Sequence, residues 1–315
     1  MNPTESIARS RRPVFFWALA FAAGLLEAPL AHADNAFGGD EGKFLLTSGF
    51  SDIDGAGGGG LVPLALISGY GSSDSWGANA HFTSVQLKDF QVRAYGVTVG
   101  LFDRLELSYT RQNLEVTGTP LDGLGVNQDV AGLKLKLLGD AVYNQDSWLP
   151  QLALGVEYKK NDGIKDAQHV GLPGLVNPTQ LGADSEHAAD IYLAGTKVFL
   201  AESLVANLAV RATKANQLGL LGFGGDRHSG YSFEPEGTLA YLVTRRIAVG
   251  AEFRSRPHNL SVDNEADAWD LFVGWTPTKN ISLVLAYLNL GSILAPVTQV
   301  TRKQDGAYLS IQAGF

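Results

Sequence analysis

Along much of the chain, polar and apolar positions alternate one by one, which is the period of a β-strand with one greasy face. In RLELSYT, Leu105, Leu107 and Tyr109 share one side, with Glu106 and Ser108 on the other. In AGLKLKL, Leu133, Leu135 and Leu137 oppose Lys134 and Lys136, and in IAVGAEFR, Ile247, Val249, Ala251 and Phe253 oppose Gly250, Glu252 and Arg254. The stretch AYLSIQAGF does the same up to Phe315. The pattern predicts fourteen strands, over 43–49, 62–70, 76–85, 90–101, 104–113, 127–138, 148–159, 187–200, 203–214, 232–243, 246–256, 267–276, 279–290 and 305–315. Most are about ten residues long, the length a tilted strand needs to cross a bilayer.

The connections follow a second rhythm. Tight links at Phe102-Asp103, Ala201-Glu202, Thr244-Arg245 and Pro277-Thr278 alternate with longer loops at 114–126, 160–186, 215–231, 257–266 and 291–304. Short turns at one end and long loops at the other are the plan of a transmembrane antiparallel β-barrel with periplasmic termini. Trp76, Trp148 and Trp275 fall at short-turn ends and Trp269 at a long-loop end, where amphipathic rings meet lipid headgroups. Twelve strands with an N-terminal plug is the alternative count. Fourteen strands lie between the eight that side chains fill and the sixteen that leave a water channel, so a narrow or partly plugged lumen is expected.

The start of the chain follows another pattern. Arg9, Arg11 and Arg12 precede an apolar run, Val14–Leu26, and Ala31–Ala33 is a small-residue cleavage site. This reads as a secretory signal peptide over 1–33, followed by a periplasmic segment 34–42 and a barrel over 43–315. Phe315, an aromatic behind alternating hydrophobics, reads as a signal for the barrel-assembly machinery.

Composition narrows the function. No cysteine is present, so there is no thiolate metal site, and a net charge of −8 argues against nucleic acid as a partner. Four segments go further: RATKANQLGLLGFGGD (Arg211–Asp226), AGGGGLVPLALISGYG (Ala56–Gly71), GDAVY (Gly139–Tyr143) and DAWDLFVGW (Asp267–Trp275). Through them the chain resembles an uncharacterised proteobacterial family, the domain of unknown function numbered thirty thirty-four. The resemblance implies an outer-membrane barrel in a Gram-negative bacterium and implies no substrate.

The candidate chemistry lies on the inner face. Alternation places Lys134, Lys136, Glu157, Lys159, Arg211, Glu236, Glu252, Arg254 and Asp270 there, and Lys197 with them. If Thr244–Arg246 form the turn, Glu236 lies opposite Arg254. Such charges either pair with one another or set solute selectivity. In the loop Gln217–Asp226, Leu218, Leu220, Leu221 and Phe223 either fold inward or offer a greasy docking site for a hydrophobic compound.

Asp263, Glu265 and Asp267, and separately Ser51–Gly55, hint at cation sites without a known ligand spacing. His81 with Thr83 or Ser84 is the best hydrolase pairing, but no matching Asp accompanies it. His169, His187, His228 and His258 lack metal-ligand spacing. The expectation is a non-enzymatic porin-like channel for small solutes with no cofactor, set among outer-membrane lipid and lipopolysaccharide. A non-conducting docking barrel and a channel for hydrophobic compounds are the alternatives.

Overall fold

The computed structural model describes Lys43, Leu46 and residues 49–118, 121–294 and 301–315. The expected signal peptide over 1–33 and the expected periplasmic segment 34–42 lie outside the described residues. Twelve strands form one closed antiparallel barrel, each paired with its neighbours in sequence and β1 with β12. They are β1 (Trp76–Leu87), β2 (Phe90–Leu101), β3 (Leu105–Val116), β4 (Gly125–Leu138), β5 (Gln151–Lys165) and β6 (His187–Phe199). The second half comprises β7 (Leu204–Thr213), β8 (Ser232–Thr244), β9 (Ile247–Arg254), β10 (Ala268–Trp275), β11 (Ile281–Asn289) and β12 (Asp305–Gly314). Closure leaves no unpaired edge, the condition for a sheet to stand in lipid.

The count is twelve because the first two predicted strands are not in the wall. Residues 49–71 run inside the barrel as a plug, and Lys43, Leu46 and Gly49, described within the predicted strand 43–49, are not in a strand either. The physical reason is visible in GLVPLALISG. Val62, Leu64, Ala65, Leu66 and Ile67 are all buried, because a segment surrounded on every side has no face to alternate. Pro63 sits in their midst, and a proline argues against a central strand.

Leu107, Leu133, Leu193, Leu208, Leu239 and Leu271 are exposed on the outer face, making an apolar belt. Trp76 and Trp275 mark the short-turn end, and Trp269 packs on Tyr287 at the other, 5.9 Å between ring centroids. Trp148 lies before β5 rather than in it, 5.9 Å from Phe199. The two ends are less uniform than the sequence suggests. The β1–β2 turn at Lys88-Asp89 is tight although it lies at the long-loop end. At the short-turn end, residues 139–150 form a long link that bonds back to β6, Val198 N–H donating to the Ala141 carbonyl at 2.8 Å.

The β1–β12 seam is joined to the stem of the plug. Phe315 N–H donates to the Ala78 carbonyl, and the Phe315 carbonyl accepts from both Ala78 and Tyr70 N–H. Its ring stands edge-on to Trp76 at 5.3 Å.

Candidate functional site

The inner wall of β3–β9 meets the plug with charged side chains, and each does a definable job. Glu106 on β3 accepts from Gly57 N–H and Ser68 N–H, both at 2.8 Å. Lys134, its cross-strand partner on β4, pairs with it at 3.0 Å and donates to the Gly57 and Leu66 carbonyls at 2.8 Å. On β9, Glu252 accepts from Gly60 N–H at 2.7 Å, Leu61 N–H at 2.6 Å and the Thr238 hydroxyl at 2.9 Å. These are charge-assisted bonds to backbone that would otherwise be buried without partners.

The glycine run of the plug follows from these latches. A Cβ on Gly59 would lie 1.8 Å from Glu252 Oε1, and one on Gly57 would lie 2.7 Å from Glu106 Oε2. Side chains are absent where the wall's carboxylates need the space.

Deeper in the lumen lies a connected ion-pair network. Arg211 bridges Glu157 and Glu236, both at 2.6 Å, with its guanidinium 5.0 Å from the centre of the Tyr192 ring. Lys159 reaches Asp190 at 3.1 Å and Glu157 at 3.5 Å, and Arg254 reaches Glu236 at 3.2 Å. Glu236 and Arg254 are directly opposed across β8 and β9, in the register set by a one-residue shift between Leu242 and Thr244 beside the turn. The plug's Asp54 inserts between Lys159 and Arg254, 2.9 Å from each. Asp270 faces Glu252 from β10.

Lys136 keeps the inner face, with Leu135 and Leu137 exposed on the other, and sits at its short-turn rim, paired with Asp103 at 2.6 Å. One residue assigned to the lumen lies elsewhere. Lys197 has the opposite parity to Thr196 and Val198, and its ammonium caps the Asn144 carbonyl of the 139–150 link at 2.5 Å. Conversely, Glu106, Asp190, Gln112 and the plug's Asp52 and Asp54 belong to the interior, although the alternation argument did not assign them to it. Glu106 was discoverable, since it lies on the polar face of RLELSYT. Asp54 was not, because its place depends on the plug.

At the long-loop end the Gln217–Asp226 loop folds inward. Leu218, Leu220, Leu221 and Phe223 are buried, folded inward rather than displayed. The Leu218 carbonyl accepts from Gln128 at 3.1 Å, and that of Leu220 accepts from Asn161 at 2.7 Å. The loop is pinned through Gln217, whose N–H donates to Glu265 at 2.9 Å and whose side-chain amide donates to Asp263 at 2.7 Å. Arg256 reaches Gln217 at 2.9 Å and Glu265 at 3.4 Å. Burial pushes the Glu265 carboxyl up to about 8, against the pull of Arg256, and also raises Asp263.

The remaining candidates have structural partners. Asp263 and Glu265 bond the loops, while Asp267 accepts from Ser255 at 3.1 Å. Asp52 Oδ1 caps the plug's turn through Gly55 and Ala56 N–H. His81 Nε2 is 3.3 Å from Thr110, and Thr83 donates to Ser310 at 2.9 Å, so the two do not form a nucleophile–base pair. Among the described residues no cluster of three or more His, Asp or Glu side chains suits a metal.

The sequence model of a family described as "Protein of unknown function (DUF3034)" matches residues 47–312. The chain belongs to that family. Because the match starts at residue 47, the plug is part of the family unit along with the wall. Among curated proteins none matches significantly. Solved structures similar to this chain include the KdgM porin, at 9% identity and TM-score 0.43 over 75% of this chain and 99% of that one. The COG4313 outer membrane channel from Pseudomonas putida F1 is similar at 11% identity and TM-score 0.45, over 80% and 96%. Outer membrane phospholipase A from Escherichia coli is similar at 10% identity and TM-score 0.38, over 78% and 94%. At such identities and TM-scores, nothing about substrate or activity carries across.

Proposed function

We propose that this family member is an outer-membrane channel for small solutes, held closed by its own N-terminal plug and by the infolded Gln217–Asp226 loop. The observation behind this reading is the way the lumen is filled. A twelve-strand wall encloses more space than its own side chains occupy. A separate segment fills it, seated through hydrogen bonds and ion pairs from Glu106, Lys134, Glu252 and Arg254. Polar latches exchange for water or for a polar solute, because each bond lost to the wall is replaced by one to solvent.

In this reading the channel is not an enzyme, and Lys134, Glu157, Lys159, Arg211, Glu236, Glu252, Arg254 and Asp270 line the path exposed when the plug shifts. Lipopolysaccharide surrounds the long-loop end, and Phe315 serves the assembly machinery.

The filling of the lumen also favours a second reading, a non-conducting barrel. Planar-bilayer recording separates them. Wild-type protein is expected to open rarely, and Glu252→Gln, which weakens a latch, to open more often. Silence from both would leave only the non-conducting barrel.

A further inference from the structure

The plug's Asp54 is held as a bound ligand would be. Its Oδ2 accepts from Lys159 Nζ and from an Arg254 Nη, each at 2.9 Å, and its Oδ1 accepts from Gln112 Nε2 at 2.9 Å. The donors come from β5, β9 and β3, so separate parts of the wall converge on one carboxylate with both oxygens served. The carboxylate is completely buried.

The wall does not need Asp54 for its own neutrality. Lys159, Arg211 and Arg254 are already matched by Glu157, Asp190 and Glu236. Asp54 is therefore an added carboxylate on a balanced set, retained by the geometry of its donors. Gln112 Nε2 also donates to the plug's Ile53 carbonyl at 2.8 Å. Once the plug has withdrawn, its free donors are reached by the second oxygen of a carboxylate held on the two cations but not by a single-atom anion, so the arrangement favours a carboxylate over chloride.

We infer that Lys159, Arg254 and Gln112 form a carboxylate-binding subsite in the lumen, filled by Asp54 in this closed state and taken over by a solute's carboxylate when the plug shifts. The inference rests on the channel reading above. It carries a consequence for gating: a carboxylate solute binds only where Asp54 has left, so it stabilises the unseated plug and promotes its own passage.

The test uses the full chain, which has no cysteine of its own. Val62→Cys places one thiol on the buried plug, and its rate of maleimide labelling reports unseating. Labelling is compared in sodium gluconate, in sodium chloride at equal ionic strength, and in glucitol, the neutral polyol closest to gluconate. Gluconate should accelerate labelling roughly tenfold over chloride, the weight of one charge-assisted contact. Glucitol should not accelerate it. The effect should vanish in Asp54→Asn/Lys159→Gln, which removes one charge of each sign and so keeps the interior's balance.

Equal labelling in gluconate and chloride, or an acceleration that persists in the double variant, would overturn the subsite. Bilayer recording of Asp54→Asn separates this from the channel reading. Conduction without preference for gluconate leaves the channel and removes the subsite. Gluconate-dependent labelling with no conduction in any variant keeps the subsite and removes the channel.

Discussion

Replacing Gly59 with alanine should unseat the plug without any substitution in the wall. Gly59 is not among the residues with positive φ, so an alanine costs nothing in backbone strain. The cost is steric. The new methyl would stand 1.8 Å from Glu252 Oε1, 2.6 Å from Cδ and 2.9 Å from Oε2, so the whole carboxylate must swing away. Glu252 then gives up the Gly60 and Leu61 N–H groups, leaving two buried donors without their acceptor.

At about 1.5–3 kcal/mol for each bond to a charged group, the loss is roughly 3–6 kcal/mol. Each 1.4 kcal/mol is a factor of ten, so the unseated population should rise by about two to four orders of magnitude. Maleimide labelling of Val62→Cys measures this directly. The control is Gly60→Ala, whose methyl meets Asp270 Oδ2 at 3.3 Å and needs only a small adjustment. If both variants label at the same rate, the carboxylate latch is not what seats the plug.

Two further outcomes follow from the loops. Because burial raises Glu265 to about 8 from its ordinary 4.5, the closed outer loops must take up a proton that the open ones do not need. Their closure is therefore most stable below pH 4.5, weakens as pH rises through that window, and levels off above 8. Thermal unfolding in detergent from about pH 5 to 9 should show the decline in wild type and a shallower one in Glu265→Gln; equal slopes would exclude Glu265 as the cause. For orientation, Gly174→Cys, with nothing within 4 Å of its added Cβ, should react with an impermeant maleimide on intact cells, while the exposed Asp146→Cys should not. The reverse pattern would mean the barrel is inverted.

The wall was legible in the sequence because lipid on one side and a polar interior on the other impose strict alternation, as in Leu105–Tyr109 and Leu133–Leu137. Glu236 and Arg254 could even be paired by counting residues, since a tight turn fixes the register of a hairpin. Legibility failed where the chain has no lipid face. The plug's GLVPLALI reads as a run of hydrophobics, and only Pro63 and the glycines before it mark it as something other than a strand. Lys197 was misplaced for a related reason: the 139–150 link buries it on the side that alternation assigns to lipid. Which carboxylates meet which cations depends on partners far apart in sequence, as with Asp54 and Arg254, and no local pattern encodes that.

The junction where Phe315 bonds both Ala78 and Tyr70 bears on how the molecule comes together. The β1–β12 contacts join positions such as Asn79 and Gln312, close to the largest sequence separation in the molecule. Hairpins between neighbouring strands close short loops, whereas this seam requires nearly the whole chain to be in place and should form late. The plug directly precedes β1 at the short-turn end, so it reaches the lumen through that mouth of the barrel and needs no opening of the wall. The Phe315 carbonyl bonds both Ala78 of β1 and Tyr70 of the plug's stem, so the step that closes the ring also fixes the root of the plug.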